Sequence, residues 1–140
     1  MPMRPMKDGK FYRVMDANLN RAKEGLRVCE DICRFVYDQR QWTNSFKTIR
    51  HQLTDAAVKI GIRKLVVARH IEGDVGKRTV NSELARKNVD DIFYANAQRV
   101  KESIRVLEEF AKLKDRQAAE DFKKLRYRMY AIEKRITAQG

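Results

Sequence analysis

Apolar residues in the first third of the chain recur in steps of three and four, the spacing that keeps them on one side of an α-helix. Between Phe11 and about Asp38, Leu19, Ala22, Leu26, Cys29, Cys33 and Val36 form one stripe. Gly25, Val28, Ile32 and Phe35 form a second stripe beside it, so this long helix is expected to bury a broad face. Lys23, Arg27, Glu30, Arg34 and Asp38 fall opposite and are expected in solvent. The same rhythm over about 45–60 predicts a second helix that buries Phe46, Ile49, Leu53, Ala56, Ala57 and Ile60. Thr43 or Asn44 is its candidate cap, and Gly61 its stop. Residues 62–68 read as one more short helix, since Leu65-Val66-Val67 has no partner strand.

Periodicity then stops, and it resumes near Ser82, a candidate cap before a short helix at about 84–88. A second long helix is predicted over about 89–113, with Val100, Ser103, Ile104, Val106, Leu107, Phe110 and Ala111 inward. A last one over about 117–138 buries Phe122, Leu125, Met129, Ile132 and Ile136.

The polar positions carry a repeat. Ala17 to Glu30 returns as Ala95 to Glu108, 78 positions later, with Asn18, Arg21, Lys23, Glu24, Arg27, Val28 and Glu30 recurring in register. Phe46-Lys47-Thr48-Ile49-Arg50 returns as Phe122-Lys123-Lys124-Leu125-Arg126. The repeated unit is therefore a helical hairpin, and the predicted architecture is all-α: an antiparallel bundle of two pseudo-repeated hairpins joined by an irregular loop. Repeat one covers about 11–60, the connection about 69–81 and repeat two about 89–138, within a single domain at 11–140 behind a flexible terminus at 1–10.

Asn18 and Arg21 project toward the apolar side, with Glu24 at its margin one turn after Arg21. Asn96, Arg99 and Glu102 repeat that placement. An arginine there needs a partner or a wet cavity, because burying it alone costs several kcal/mol. Two readings stay open: an Arg–Glu–Asn lattice that fixes register, or a polar pocket on the pseudo-symmetry axis that takes an anion.

Composition narrows the partners. Both prolines fall within the first five residues, glycine is sparse and charged residues reach 36% of 140. The net charge of +12 favours an anion: nucleotide, nucleic acid, phosphorylated metabolite or membrane surface. No apolar run approaches a membrane span and no apolar leader precedes the first helix, so a soluble, cytoplasmic protein is expected. Cys29 and Cys33, one helical turn apart, are expected to be buried free thiols, and His51 and His70 are isolated.

Within the aperiodic stretch, Glu72-Gly73-Asp74-Val75-Gly76-Lys77-Arg78 gathers two acids, two glycines and two cations. Glycine lets backbone N–H groups approach phosphate, carboxylates hold Mg²⁺, and Lys or Arg neutralises phosphoryl oxygens. The spacing is not that of a Walker loop, and on chemistry alone an ordinary solvated loop is the better reading.

Asp16-Ala17-Asn18-Leu19-Asn20-Arg21-Ala22, Glu24-Gly25-Leu26-Arg27-Val28, Glu72-Gly73-Asp74-Val75-Gly76, Ala95-Asn96 with Arg99, and Arg105-Val106-Leu107-Glu108-Glu109-Phe110 occur in this order. Together they resemble the small helical hydroxymethylpyrimidine phosphate kinases, found alone or fused to the N-terminus of thiamine phosphate synthase. The resemblance covers roughly 11–134. It implies ATP-dependent phosphorylation of 4-amino-5-hydroxymethyl-2-methylpyrimidine phosphate to its diphosphate, with Mg²⁺ as cofactor. No catalytic assignment comes with it, so roles follow from chemistry at the matched positions. Arg21 and Arg99 are the expected phosphate clamps, held by Glu24 and Glu102 with Asn18 and Asn96 as hydrogen-bonding partners. Arg69, Gly73, Gly76 and Lys77 are expected to add phosphate contacts, and Asp74, with Glu72 secondary, to hold the Mg²⁺. The acceptor is an ionised phosphate, so no strong general base is needed.

Two alternatives belong to other classes. A non-catalytic docking domain for thiamine phosphate synthase would show an exposed apolar patch in place of a charged pocket. A nucleic-acid module would need a basic stripe, which the mixed signs of Arg27, Glu30 and Arg34 oppose. Homo-oligomerisation is left open.

Overall fold

The computed structural model describes residues 4–77 and 84–139. Among these residues five α-helices run in order: α1 Asp8–Asp31, α2 Arg40–Ile60, α3 Ile62–Ala68, α4 Val89–Ala111 and α5 Arg116–Gln139. A π-helical turn at Ile32–Val36 extends α1 toward α2. The all-α fold built from two hairpins, α1/α2 and α4/α5, is the one the periodicity predicts. The helix begins at Asp8, inside the segment expected to be flexible. The candidate cap Ser82 lies outside the described residues.

Each hairpin packs its two helices together, and the hairpins meet along two further seams, α1 with α4 and α2 with α5. Gly25 packs against the Asn96 carbonyl and Val100, and the Cys29 thiol donates to the Phe93 carbonyl at 3.7 Å, so α1 and α4 run antiparallel. On the other seam Gln52 meets Arg128 and Lys59 meets Asp121, which makes α2 and α5 antiparallel as well. The pseudo-two-fold axis therefore passes through both seams, near Ala22 and Val100 on one side and near Gln52 and Arg128 on the other. Short α3 lies on α1.

The core joins Phe11, Leu26, Phe46, Leu53, Phe93, Ile104 and Phe122 with their neighbours, and edge-to-face contacts link Phe93 to Phe46 and Tyr94. Every residue predicted to be buried in α2 and in the last helix is buried. Helix α2 begins earlier than predicted, at Arg40, and Thr43 bonds back to the Gln39 carbonyl instead of capping. Gly61, at φ 107°, ends α2 in a conformation that L side chains rarely adopt. Asn88 caps α4 by accepting from the Asp91 N–H at 2.8 Å.

Two expectations for the first helix are corrected. Phe35 and Val36 are exposed, at 65% and 52%, because the wider π turn advances fewer degrees per residue and rotates them off the core face. Glu30 is buried, at 4% exposure, and does not face solvent. Its Oε1 accepts from Arg50 Nε at 3.1 Å, while Arg27 reaches Oε2 at 3.7 Å. The second hairpin repeats this arrangement: Arg126 Nε donates to Glu108 Oε1 at 3.0 Å and Arg105 lies 3.5 Å from Oε2. The register lattice is thus duplicated, but it is built from Glu30 and Glu108.

Candidate functional site

The duplicated Asn–Arg–Glu positions fall on the α1–α4 seam. Asn18 and Asn96 turn their amides back onto their own helices, donating to the Val14 and Ile92 carbonyls at 2.9 and 2.8 Å. That bond ties each side chain down along the seam. Arg21 stands one turn before Gly25 and Arg99 adjoins Val100, so both positions lie near the crossing of α1 and α4.

Both arginines are exposed. The expectation that they face the core is corrected: they flank the buried stripe at its outer edge. Nor do their glutamates hold them. Among the described residues neither Arg21 nor Arg99 has an ion-pair partner, and Arg21 makes one long hydrogen bond, 3.5 Å to Asn18 Oδ1. Glu24 is exposed, and Glu102 accepts from Gln98 at 3.2 Å. The contrast with Arg50 and Arg126 separates two classes of repeated arginine. One is paired with a buried glutamate, and the other has no ion-pair partner among the described residues.

The connecting loop is anchored to α1. Arg69 grips Asp16 through two parallel hydrogen bonds, 2.8 and 2.9 Å, and Asn20 also donates to Asp16 at 3.2 Å. The hydrogen bond to Asp16, reinforced by its charge, raises the Arg69 pKa above its ordinary value. Arg69, an expected phosphate contact, is paired with Asp16 and so ties the start of the connection to α1. Sequence reasoning missed Asp16, although it stands in the first matched motif. Arg13 adds a bond to the His70 carbonyl at 3.3 Å. Gly73 packs under the His70 ring, and a Cβ there would make that exposed ring swing aside.

Asp74 shapes the next turn. Its N–H donates to the Ile71 carbonyl, and its Oδ1 accepts from the Gly76 N–H at 2.9 Å. Glu72, Gly76 and Lys77 are exposed beside it, and Arg78 lies outside the described residues. No group of three metal-ligating side chains occurs among the described residues. Asp74 and Glu72 are exposed carboxylates, the donor type that Mg²⁺ takes.

Burial pushes the Cys33 thiol up to about 12 and the Cys29 thiol higher still, so both are inert core groups. No described helix is long and apolar enough to cross a membrane.

The ThiD2 family matches residues 13–135. The chain belongs to the ThiD2 family. It is similar to proteins named thiamine-phosphate synthase from Synechocystis sp., at 41% identity over 122 residues covering 86% of this chain and 34% of the relative. The one from Nostoc punctiforme is 37% identical over 126 residues, 89% of this chain and 35% of the relative. The one from Rhodopirellula baltica is 36% identical over 120 residues, 85% and 32%. This ThiD2 chain therefore spans about a third of the length of the relatives it matches. No solved structure matches it significantly.

Proposed function

We propose that this ThiD2 chain is a phosphotransferase of thiamine biosynthesis that makes hydroxymethylpyrimidine diphosphate from the monophosphate and ATP. The observation that carries the reading is the pair Arg21 and Arg99. Arg21 and Arg99 are repeat-related arginines near one helix crossing with no ion-pair partner among the described residues, while their repeated neighbours Arg50 and Arg126 are paired with buried glutamates. Joining two anionic substrates demands that charge. An oxygen of the acceptor phosphate attacks the γ-phosphorus, a new P–O bond forms, and the bond to the β-phosphate oxygen breaks to release ADP. The attacking oxygen is already ionised, so no proton need be taken. In this reading Arg21 and Arg99 hold the phosphoryl oxygens, Lys77 adds charge from the loop, and Asp74 with Glu72 receives the Mg²⁺ that accompanies ATP. That ion would screen the phosphate charges.

A second reading is a docking domain for thiamine-phosphate synthase. It draws support from the names of the relatives, of which this chain spans a third. Exposed apolar residues, Val66 and Val67 on α3 and Ile71 and Val75 in the following loop, also favour it. The test is an assay with purified chain, ATP, Mg²⁺ and the pyrimidine monophosphate. Diphosphate and ADP formed in equal amounts support the kinase. No product, together with stable binding to a thiamine-phosphate synthase, supports the docking domain.

A further inference from the structure

The connection that carries Asp74 and Lys77 hangs from one short stretch of α1. Leu65 is buried and Lys64 Nζ lies 5.7 Å from the centre of the Tyr12 ring, which seats α3 on the start of that helix. Arg69 then meets both carboxylate oxygens of Asp16, and Arg13 donates to the next carbonyl, that of His70. Beyond His70 every residue as far as Lys77 is exposed. Among the described residues no hydrogen bond or ion pair joins 71–77 to a helix. The Asp74 N–H donates to Ile71, the Gly76 N–H to Asp74 Oδ1 and the Lys77 N–H to the Asp74 carbonyl. On the described side, the place of Asp74 and Lys77 is therefore set at Arg69 and His70.

The two partners of this clasp differ. Asp16 is 5% exposed, whereas the Arg69 side chain is 41% exposed. Burying a carboxylate costs desolvation that a neutral side chain would avoid, and what the pair gains is geometry: two parallel bonds fix the guanidinium in distance and in plane. The hairpin itself does not need it. At the repeat offset, Arg13, Asp16 and Asn20 correspond to Asp91, Tyr94 and Gln98, and the Tyr94 hydroxyl pairs with Thr137 instead. Helix α4 thus packs without such a carboxylate, and Asp16 serves the connection. It also ends the equivalence of the two halves, because the connection is tied to α1. Nucleotide and pyrimidine phosphate are unlike, and a site that tells them apart cannot keep two-fold symmetry.

We propose that Asp16 is a positioning residue: acting through Arg69, it fixes the connection so that Asp74 and Lys77 meet the nucleotide's phosphates, and it governs the nucleotide but not the pyrimidine phosphate. This role rests on the kinase reading and adds to it the residue that makes the two substrates' sites differ.

Asp16→Asn is the informative variant, because it removes the buried charge and leaves half-exposed Arg69 to solvent; removing Arg69 alone would strand a buried carboxylate. Steady-state kinetics of the purified full chain, with ATP and the pyrimidine monophosphate varied separately, are measured beside thermal unfolding and amide hydrogen exchange. The KM for ATP is expected to rise about tenfold, and the Mg²⁺ requirement with it, while the KM for the pyrimidine phosphate stays within about twofold. Amides of 70–77 should exchange faster, with those of α4 and α5 unchanged. Arg69→Lys, which keeps the charge but not the paired bonds, should fall between wild type and Asp16→Asn. The double variant Asp16→Asn/Arg69→Gln should be no worse than Asp16→Asn, since the two side chains act as one unit. Equal rises in both KM values, or additive losses in the double variant, would overturn the role. So would unchanged KM values with only a lower melting temperature, which would leave a structural clasp. A wild type that makes no diphosphate overturns the kinase reading and this role with it, whereas an active wild type with an unaffected variant overturns the role alone.

Discussion

Gly25 presses against the backbone of Asn96: a Cβ on Gly25 would stand 3.0 Å from the Asn96 carbonyl oxygen and 2.7 Å from Val100 Cγ2. The Val100 methyl can yield, but the carbonyl belongs to the α4 backbone and can move only if the helices separate. Helix propensity alone would make Gly25→Ala stabilising by about 1 kcal/mol. Overpacking costs about 1–3 kcal/mol. The net expectation is a lower melting temperature, and an unchanged or higher one would show that the seam is not tightly closed.

Arg126→Ala should be strongly destabilising. It leaves the Glu108 carboxylate buried with only exposed Arg105 nearby, a loss of about 3 kcal/mol. For a chain of this size that is a fall of about 10 °C. Thermal unfolding of the purified variant measures it.

Arg21→Ala and Arg99→Ala should do the reverse. Each is exposed, so stability should change by less than about 0.5 kcal/mol. Phosphoryl transfer should fall about a hundredfold, the effect of losing about 3 kcal/mol of transition-state stabilisation. Turnover per folded molecule separates this from a structural role, which would lower the melting temperature and spare activity.

Asp74→Asn keeps the acceptor that the Gly76 N–H requires and removes the negative charge that a divalent cation requires. If Asp74 receives Mg²⁺, activity falls sharply, high Mg²⁺ restores part of it, and thermal stability is unchanged. Near-normal turnover at low Mg²⁺ would leave Asp74 with its turn alone.

The Lys59–Asp121 pair predicts an acid dependence. The hydrogen bond from Lys59 holds the Asp121 carboxyl below its usual 3.8. A folded-state pKa depressed in this way gives stability that is complete above the unfolded value and lost as pH falls through the folded one. For a surface pair the contribution is about 0.5 kcal/mol. The stability gap between wild type and Asp121→Asn should be constant from neutral pH to about 5 and should close at about pH 2. A gap that persists there would assign the effect to packing.

The fold was legible because both helices of each hairpin bury a face at helical spacing and because the chain states that pattern twice. The sites were harder to read. A helical wheel places Arg21 near the apolar side, but it cannot show that the seam with α4 ends just short of it. It also placed Glu30 in solvent, since on an isolated helix that position lies away from the main stripe. Only docking of α2 brings Arg50 over it. The signal was nevertheless present: Arg50 and Arg126 end the second repeated motif, and Glu30 and Glu108 end the first. Pairing the ends of the two motifs would have found the lattice. The Arg69–Asp16 clasp joins residues 53 positions apart and belongs to no repeat, so nothing in the periodicity points to it.

The π turn also records how the two halves of the chain grew unequal. First helices correspond at an offset of 78 residues, but second helices, as in Arg50 and Arg126, correspond at 76, so the first hairpin carries two extra residues between its motifs. Helix α4 stops at Ala111, the counterpart of Cys33, whereas the first hairpin continues through the π turn to Asp38 at φ 52°. The surplus is taken up there, with Phe35 and Val36 turned outward, and both Glu–Arg pairs keep their registers. This end of the bundle is therefore where the fold tolerates insertion and deletion. A chain shortened by two residues within 34–39 should regain the geometry of its own second half.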